Sequence, residues 1–531
     1  MYLNAVLLLS ACGLQDPIFE DSAGVADYAL TLTPLVPLDG NPFEGVTRID
    51  LLLDTGVGDP LRVTLAAPES GDSALAEGLP ALDGTRIIVE GYAGEDLVAW
   101  GRSAPVTAVN GQINATIFIS SPETIGQLGG LPEGDFDGAG AAMGDGRFVV
   151  MGGAGNRSGG SPDKTTDTVW FLDLGAPSEG LAFEESGTMP EYIDAQGDTQ
   201  TKRRSFTLTR LTAGDAGKYL MVGGGPSFPY SDATTLTPEA RLFDPETLTF
   251  EEPLADRDSL ARPRAGHVAL ANQQGGVLVW GGTGASTDRG FYSPMPDGEL
   301  YDPSKRAFTS ISGIDDGSAI GIAMADLGER GTLVFGGMTT LDDGENSWRL
   351  NDASLIVSLR GDVTEIAGPR RMAGMAAIGL PDGDVAVFGG ASGDGTFAQG
   401  ASASAGDTVW RYRSSSDTWQ DVGKLNVARA GHTATLLDNT HVLIAGGTTT
   451  WSPFDLGETA LSCVEIYDVA SDTSVQVQPC DEGDDVAGLP SRAEHPLALS
   501  DSEMGVIIVG GADGAQGAIP DASLYTLARP L

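Results

Sequence analysis

The stretch Phe148-Val149-Val150-Met151-Gly152-Gly153 is a short apolar strand that ends in two glycines, and the chain contains this pattern seven times. The pattern decides the fold because it returns at a nearly constant interval. The first glycines of the pairs lie 53 to 71 residues apart, at positions 152, 223, 281, 336, 389, 446 and 510. A period of that length indicates an array of small sheets with one glycine pair in each.

Four strands can be identified around each pair, most clearly in the sixth repeat. Arg429-Ala430-Gly431-His432 begins an alternating strand, and a turn at Asp438-Asn439 leads into the strand that ends at Gly446. Residues 464–468 and 474–477 then alternate as third and fourth strands. Because glycine lacks Cβ, it can take unusual backbone angles where neighbouring backbones approach closely. We therefore predict a structural role for fourteen glycines: Gly152, Gly153, Gly223, Gly224, Gly281, Gly282, Gly336, Gly337, Gly389, Gly390, Gly446, Gly447, Gly510 and Gly511.

The seventh repeat lacks a fourth strand at the end of the chain. Residues 123–128 occupy, before the first repeat, the place that residues 417–422 hold before the sixth. We predict that this early segment supplies the missing strand, which would remove an exposed edge and close a ring of sheets.

The arrangement resembles the Kelch-repeat β-propeller, similar to the central domain of galactose oxidase, over residues 121–531. Kelch blades carry a basic or histidine-bearing first strand, a Gly-Gly at the end of the second, and aromatic residues on the third and fourth. Tyr301, Phe243, Trp419 and Phe250 match the aromatic positions. The resemblance implies an all-β chain with a seven-bladed propeller.

A separate module is predicted at residues 27–120, before the propeller. Alternating stretches separated by Gly, Pro and Asp turns lie at 28–32, 46–53, 61–65, 86–90, 96–102 and 112–119. Six or seven short strands in this length indicate a β-sandwich of Ig-like or transthyretin-like type, which we interpret as a spacer or adhesive unit. Residues 13–26 would be a linker.

Residues 1–12 resemble the signal peptide of a bacterial lipoprotein. A short apolar run, Val6-Leu7-Leu8-Leu9, leads into Ser10-Ala11-Cys12. Cleavage before Cys12 would leave a thiol that carries lipid, so the chain would be exported and anchored to the outer membrane without a spanning helix. The alternative is that the apolar residues occur here by chance and form no signal peptide. The absence of a Lys or Arg before the run favours that alternative.

The charge balance is strongly acidic. The 531 residues include 74 Asp and Glu against 30 Lys and Arg, a net charge of −44. The negative electrostatic field of such a chain repels phosphate backbones, so we expect no nucleic-acid partner. We also expect the protein to be a monomer. The simplest reading of the charge is solubility. The alternative is Ca²⁺ binding by the acidic stretches at Asp342, Asp343 and Glu345 and at Asp481, Glu482, Asp484 and Asp485, although neither matches an EF-hand loop. No other cofactor is predicted.

Two further cysteines, Cys463 and Cys480, fall on the predicted third and fourth strands of the sixth repeat. They lie about equally far from the turn near Ser471, so they could face each other across the hairpin. We predict that they form a disulfide in an oxidising compartment, which agrees with export.

Catalysis is not indicated by the histidines. His267 and His432 lie fourteen residues before the first glycine of their repeats and His495 lies fifteen before, and such repetition favours an architectural role. The copper oxidases that resemble galactose oxidase use two histidines, two tyrosines and a cysteine crosslink, for which this chain has no spare cysteine. The prediction is no catalytic residue and no metal site.

The long loops after the glycine pairs are predicted to gather on one face. Large aromatic residues in them, including Trp348, Trp451 and Tyr230, are candidate anchors for a protein or sugar, or they cover small cores of the loops themselves. Arginines near the starts of first strands could form an anion-binding ring on the same face, namely Arg203, Arg204, Arg264, Arg370, Arg371, Arg429 and Arg492. The alternative is that each arginine pairs with an acid or carbonyl in the next blade. The first and fourth repeats offer Asp135, Asp137, Asp315 and Asp316 instead.

The sequence therefore predicts a non-enzymatic binding or scaffold protein of the cell envelope, whose loop face takes a protein or glycan ligand. A propeller-type enzyme that acts on carbohydrate is the alternative, and a purely structural envelope role is a third.

Overall fold

The computed structural model describes residues 7–9, 29–56, 58–66, 84–107, 112–132, 137–155, 164–177, 181–194, 196–226, 235–253, 259–285, 292–313, 319–340, 347–398, 401–452, 460–480, 497–513 and 517–527. These residues form an all-β structure, as predicted. The helical content of the described part is a single 3₁₀ turn at Gly328–Arg330. Within that part, no helix has the length and apolar character needed to cross a membrane.

Seven four-stranded antiparallel sheets follow one another along the chain, and we number them one to seven. Each glycine pair follows the second strand of its sheet, as the repeat pattern predicts. In order from first to fourth strand, the sheets comprise Ala139–Gly144, Arg147–Met151, Thr168–Asp173 and Glu184–Thr188; Thr207–Arg210, Tyr219–Val222, Ala240–Asp244 and Thr249–Phe250; Val268–Ala271, Val277–Trp280, Gly298–Asp302 and Ala307–Ile311; Ala323–Asp326, Thr332–Phe335, Ser354–Val357 and Val363–Ile366; Ala376–Gly379, Val385–Phe388, Thr408–Arg413 and Thr418–Lys424; Thr433–Leu436, His441–Ala445, Val464–Asp468 and Thr473–Gln478; and Leu497–Asp501, Gly505–Val509, Ala522–Thr526 and Ile125–Leu128.

Sheet seven takes its fourth strand from the beginning of the chain. Ile125–Leu128 pairs antiparallel with Ala522–Thr526, with Ile125 opposite Tyr525 and Leu128 opposite Ala522. The first strands of consecutive sheets lie against one another in chain order, and the first strand of sheet seven lies against that of sheet one. The order of contacts among the first strands is therefore circular.

The loops that follow the glycine pairs, and the connections between consecutive sheets, contain shorter strands of their own. The pairs are Ala154–Gly155 with Lys164–Thr165, Tyr192–Ile193 with Thr199–Gln200, Thr283–Ala285 with Tyr292–Pro294, Met338–Thr340 with Ser347–Leu350 and that strand with Thr396–Ala398, Met372–Ala373 with Ala391–Ser392, Ala403–Ser404 with Thr450–Trp451, and Ala512–Asp513 with Gly517–Ala518. Two of these pairs join loops of different sheets: Ser347–Leu350 with Thr396–Ala398, and Ala403–Ser404 with Thr450–Trp451.

Seven strands near the beginning of the chain form one hydrogen-bonded sheet, which we call the N-terminal sheet. The predicted alternating stretches all become strands, but they form one continuous sheet, so the Ig-like or transthyretin-like type stays a prediction. Its order in space is Leu7–Leu9, Ala29–Leu35, Gln112–Ser120, Asp96–Arg102, Arg86–Ala93, Arg48–Asp54 and Leu61–Ala66. The long strand Gln112–Ser120 pairs in parallel with Ala29–Leu35 and, near its end, antiparallel with Asp96–Arg102.

The N-terminal sheet packs directly against sheets one and seven. Trp100 and Phe118 are buried in one apolar cluster with Phe148 of sheet one and Ile507 of sheet seven. Arg102 also forms an ion pair with Glu503, in the turn between the first two strands of sheet seven. A module expected to be a separate spacer therefore shares a hydrophobic core with the first and last repeats.

The glycine pairs tie each sheet to the next through the backbone. The N–H of the second glycine donates to a carbonyl just before the first strand of the following sheet: Gly153 to Arg203 (3.0 Å), Gly224 to Arg264 (2.9 Å), Gly282 to Ala319 (2.6 Å), Gly337 to Met372 (2.6 Å) and Gly390 to Arg429 (2.8 Å). All fourteen glycines have positive φ, between 56° and 96°. A Cβ on Gly223 would lie 2.5 Å from the carbonyl oxygen of Arg264, so a side chain is excluded by contact as well as by φ.

Gly223→Ala should therefore lower the free energy of unfolding by about 3 kcal/mol, because a positive φ costs an L-residue about 1–2 kcal/mol and the clash adds overpacking. The matched control is Gly217→Ala in the same sheet, where φ is 92° but no atom lies within 4 Å of the added Cβ. It should cost about 1 kcal/mol. Urea unfolding of the two variants measures both values, and equal losses would contradict the contact between sheets.

Candidate binding face

One face of the seven sheets carries the long loops, and we call it the glycine face. In an antiparallel sheet with strands in chain order, the end of the second strand and the beginning of the third lie on the same side. The first strands begin there too. The opposite side carries the short turns, such as the one at Asp438, and we call it the turn face.

A ring of residues with positive φ marks the start of the first strands on the glycine face. Each lies two residues before its strand and has φ between 55° and 66°: Asp137, Ser205, Gly266, Gly321, Gly374 and Gly431. Backbone N–H groups donate around this ring, from Ser205 to the Asp137 carbonyl, from Gly266 to Ser205, from Gly374 to Gly321 and from Gly431 to Gly374, at 2.7–2.9 Å. The ring is a second set of bonds between neighbouring sheets.

The two ring members that are not glycine form a polar cluster. The carboxylate of Asp137 accepts hydrogen bonds from Arg204 Nη2 (3.0 Å) and Ser205 Oγ (3.1 Å). Both residues hold a backbone conformation that costs a non-glycine residue energy. Arg204, one of the candidate binding arginines, is thus paired with an acid of the preceding sheet, whereas the alternative interpretation of the arginines placed the partner in the next blade.

The other candidate arginines near strand starts do not form a solvent-facing ring in the part of the chain that is described. Arg203, Arg264 and Arg429 are each at most 1% exposed. Arg429 Nη2 lies 2.8 Å from Glu465 Oε1, and its Nη1 donates to the carbonyls of Gly446 and Cys463. Burial lowers the pKa of Arg429, and the charge of Glu465 opposes that effect.

Arg264 repeats this arrangement in sheet three. Its guanidinium contacts Glu299 Oε1 at 3.4 Å, Asp297 Oδ1 at 3.2 Å and the carbonyl of Gly281 at 2.9 Å, and burial lowers its pKa to about 10. Arg203 contacts Glu239 at 3.2 Å and lies over the ring of Tyr192. These partners belong to the same repeat and not to the next blade, which corrects that detail of the prediction.

Among the described repeats, a buried arginine before the first strand pairs with a glutamate in sheets two, three and six. In sheets four and five the arginine position holds Ala319 and Met372, and the position of the glutamate on the third strand holds Leu355 and Trp410. Sheets three and six hold an arginine and a glutamate at these two positions, whereas in sheet two the partner of Arg203 is Glu239, which lies just before the third strand. The two positions form a slot whose role is packing within the sheet.

The two described aromatic candidates are buried and not exposed. Trp348 is fully buried, stacks on Phe397 at 4.4 Å between ring centroids, and meets Trp451 edge to face at 5.8 Å. Trp451 packs against the ring positions Gly321 and Gly374. These rings fill a core that the loops of sheets four, five and six share, so they cannot present a face to a ligand. The alternative reading of the aromatic residues is the one that fits.

The loops of these three sheets are also joined by hydrogen-bonded strands. Ser347–Leu350, in the loop that follows the glycine pair of sheet four, pairs with Thr396–Ala398, in the corresponding loop of sheet five. Ala403–Ser404, in the same loop of sheet five, pairs with Thr450–Trp451, in the loop that follows the glycine pair of sheet six. This half of the glycine face is therefore one preorganised surface and not a set of independent loops.

A hairpin on the same face carries an exposed apolar side chain that the sequence analysis missed. Ile193, in the loop between sheets one and two, is 53% exposed. Its neighbour Tyr192 is buried under Arg203, and Asp194 holds the hairpin by accepting bonds from the N–H of Gln196 and Asp198. Ile193 therefore lies exposed on a hairpin that hydrogen bonds hold in place. The only sequence feature that could have indicated its exposure is that this isoleucine stands alone between Tyr192 and Asp194.

The repeated histidines occupy one apolar slot. A Cβ on the first glycine of the preceding sheet would meet His267 or His432 there, and in other sheets it would meet Phe206, Ile322 or Met375. Burial, together with the charge of the nearby arginine, lowers the pKa of both histidines to about 3. They are therefore neutral packing residues, and the architectural reading applies to both. His495 lies outside the described residues.

The remaining predicted site residues divide between the described and undescribed parts. Cys463 and Cys480 form the predicted disulfide, and Arg429 Nη2 donates to Cys463 Sγ at 3.3 Å. Arg371 is partly exposed, and Arg370 is exposed. Outside the described residues lie Cys12, Tyr230, Arg492, Asp135, Asp315, Asp316 and both acidic stretches considered for Ca²⁺. Among the described residues, no group of three or more His, Cys, Asp or Glu side chains could hold a metal ion.

Comparison with known proteins gives a fold but not a family. No family model matches the chain. No curated protein matches it. Among solved structures, a fungal alcohol oxidase of the AA5 family in complex with copper has a TM-score of 0.51 and 12% identity, covering 76% of this chain and 75% of its own. The structure of YjhT has a TM-score of 0.43 and 17% identity, covering 66% of this chain and 99% of its own. The chain therefore shares the fold of the AA5 alcohol oxidase over three quarters of its length.

Glu465→Leu should lower the free energy of unfolding by about 3–5 kcal/mol, because it leaves the guanidinium of Arg429 buried without its counter-charge. The double variant Arg429→Met/Glu465→Leu, which imitates the apolar pairs of sheets four and five, should recover at least half of that loss. Denaturant titration of the three proteins measures the coupling. If the double variant is no more stable than Glu465→Leu, the slot is not one that apolar residues can fill.

His432→Met should remove part of the acid sensitivity of folding. The folded-state pKa of about 3 lies below the unfolded value of about 6.5, so the wild-type stability is complete above pH 6.5 and falls as the unfolded chain takes up protons. Between pH 6.5 and 4.5 this histidine should cost the wild type about 2 kcal/mol. Urea unfolding at both pH values should show a smaller fall for the variant, and an equal fall would rule out a neutral buried histidine.

Proposed function

We propose that this chain is a non-enzymatic binding or scaffold protein of the bacterial cell envelope, and that it presents its glycine face to a protein or glycan ligand. Its body would be a seven-bladed Kelch-type propeller over residues 121–531, with each numbered sheet as one blade. The circular order of contacts among first strands and the pairing of Ile125–Leu128 with Ala522–Thr526 support that reading. Residues 27–120 would be a small β-sandwich domain.

Export and a lipid anchor at Cys12 belong to the same proposal. The disulfide between Cys463 and Cys480 supports an oxidising compartment. The strand Leu7–Leu9, which pairs with Leu30–Leu32 at the edge of the N-terminal sheet, falls within the proposed signal peptide and would leave with it. The mature chain would then follow a linker of residues 13–26 into the strand Ala29–Leu35.

The observation that carries the binding function is the preorganisation of the glycine face. Loops of sheets four to six share strands and the buried core around Trp348, and the hairpin at Ile193 is held by Tyr192 and Asp194. Loops fixed before binding lose little conformational entropy when a partner docks. Binding residues on loops that a rigid scaffold positions are common in proteins.

An enzyme that acts on carbohydrate is the second candidate, and one observation favours it. Residues of the first strands are partly accessible although these strands are the innermost of each sheet, including Val268–Ala271, Ala376–Gly379 and Thr433–Leu436. Solvent therefore reaches the middle of the ring. A small substrate could enter such a channel, whereas a channel filled by side chains would exclude it.

Screening the purified protein without residues 1–12 against a glycan array, and against envelope fractions in a pull-down, should recover one specific ligand. Ile193→Asp should weaken binding of that ligand at least tenfold, because it places a charge on the exposed anchor of the glycine face. The matched control is Leu61→Asp, a 46% exposed leucine on the N-terminal sheet, which should bind normally. A captured glycan that is chemically altered would favour the enzyme, and failure of both screens would contradict the binding function.

A further inference from the structure

The fourth strands of the sheets are outer edges, and one of them is already covered by another part of the chain. The backbone N–H of Leu38 donates to the carbonyl of Gln127 on the outer strand of sheet seven at 2.9 Å. The N–H of Gln127 in turn donates to Asp39 Oδ1 at 2.7 Å. Pro37 lies close enough to Gly126 to exclude a Cβ there. The turn at Leu38–Asp39 therefore covers the outer edge of sheet seven, and its backbone makes a hydrogen bond to that edge.

Most other outer strands are protected against such docking. The fourth strand of sheet two has only two residues, and charged side chains lie on or beside four more: Glu184 and Glu185 in sheet one, Lys305 and Arg306 before the strand of sheet three, Glu365 in sheet four, and Asp421 and Lys424 in sheet five. Charges and short length are the usual means by which proteins prevent edge pairing.

The outer strand of sheet six, like that of sheet three, carries no charged residue itself; a single acidic residue, Asp472, precedes it, so this edge repels acidic segments but not basic ones. Thr473–Gln478 has the sequence TSVQVQ, which is six residues without charge, Gly or Pro. It is the last strand of its sheet, and Val475 is 66% exposed, the largest value among the exposed large apolar side chains of the described chain. In an antiparallel pair, only alternate backbone groups of such a strand face the inner neighbour, and the others face outward.

This strand is also held rigidly. The disulfide ties Cys480, two residues after the end of the strand, to Cys463, and Ser474 Oγ donates to Glu465 Oε2 at 2.6 Å. The turn before it is fixed by Asp468, which accepts the N–H of Ala470 and the hydroxyl of Ser471. A fixed edge loses little entropy when another strand is added to it.

The charge around the edge selects the partner. Asp472 lies beside the strand at 3.3 Å from Tyr467 Oη, and exposed Asp421 is on the neighbouring outer strand of sheet five. Both carboxylates are close enough to raise the pKa of Tyr467, after burial, which is the largest cause. The whole chain carries a net charge of −44, which disfavours a second copy of itself as partner.

We propose that Thr473–Gln478 is a docking strand for an extended, basic peptide segment of a partner protein, which adds to sheet six as a fifth strand. Main-chain hydrogen bonds supply the affinity, Val475 supplies an apolar contact, and the surrounding carboxylates supply the preference for lysine or arginine. This surface is separate from the glycine face, so the two sites can be occupied independently.

The test uses fluorescent acetyl-(Lys-Val-Thr-Val)₂-amide as the probe and fluorescence anisotropy with the full protein. The wild type should bind the probe saturably. A peptide with Glu in place of Lys, and one with alternate backbone nitrogens methylated, should each bind at least tenfold more weakly. Val475→Lys should weaken probe binding at least tenfold, because it removes the apolar contact and repels the basic probe, and Ile193→Lys, the matched exposed residue on the glycine face, should leave it unchanged.

Hydrogen exchange locates the contact, since amides of residues 473–478 should gain protection when the probe binds. Val475→Lys should keep the wild-type melting temperature, because its side chain is exposed. Absence of probe binding, equal binding of the methylated peptide, or equal binding by Val475→Lys would overturn the proposal. Sedimentation showing a dimer that Val475→Lys dissociates would also overturn it, because the strand would then pair with a second copy.

Discussion

The hydrogen bond from the second glycine of a pair to a carbonyl of the following sheet, present for the first five pairs among the described residues, is the constraint on which this structure depends. It needs an N–H turned out of the strand, which a positive φ provides, and a backbone that comes within 3.0 Å of the next sheet. Both positions need glycine: in sheet two, a Cβ on Gly223 would meet the accepting carbonyl of Arg264, and a Cβ on Gly224 would meet the carbonyl of Arg204 in its own sheet. The residue type just before each first strand varies from sheet to sheet, but the residue that it contacts at the end of the preceding second strand is always glycine.

Two side-chain slots follow from this constraint. One lies over the first glycine and accepts Phe206, His267, Ile322, Met375 or His432. The other lies beside the second and third strands of the same sheet and accepts either an Arg and Glu pair or apolar residues. Histidine and arginine therefore serve here as packing residues with polar atoms, and their lowered pKa values are a consequence of burial. A family pattern of basic residues at these positions is compatible with a purely architectural use.

The sequence predicts the strands well and the site poorly, for different physical reasons. Glycine pairs and alternating strands are local signals, so the second strands, the outer strand at 473–478 and the disulfide follow from residues close together in the chain. The fate of Arg264 depends on Glu299, which lies 35 residues away and could equally have left the guanidinium in solvent. Trp348 is buried by residues from three loops, and no short window of sequence contains that arrangement. The contact of the N-terminal sheet with both ends of the repeat array is equally non-local.

The position of the N-terminal sheet bears on how the proposed anchor would orient the molecule. Its contacts with the repeats lie on the turn face: Arg86 pairs with Asp145 in the first turn of sheet one, and Ala104 donates to the carbonyl of Gly175 after the third strand of that sheet. Ser120 Oγ meets Thr526 Oγ1 at 2.7 Å at the corresponding end of sheet seven. A lipid at Cys12 would precede this sheet in the chain, so the tether would approach from the turn face. The glycine face would then point away from the membrane, where a ligand of the size of a protein could reach it.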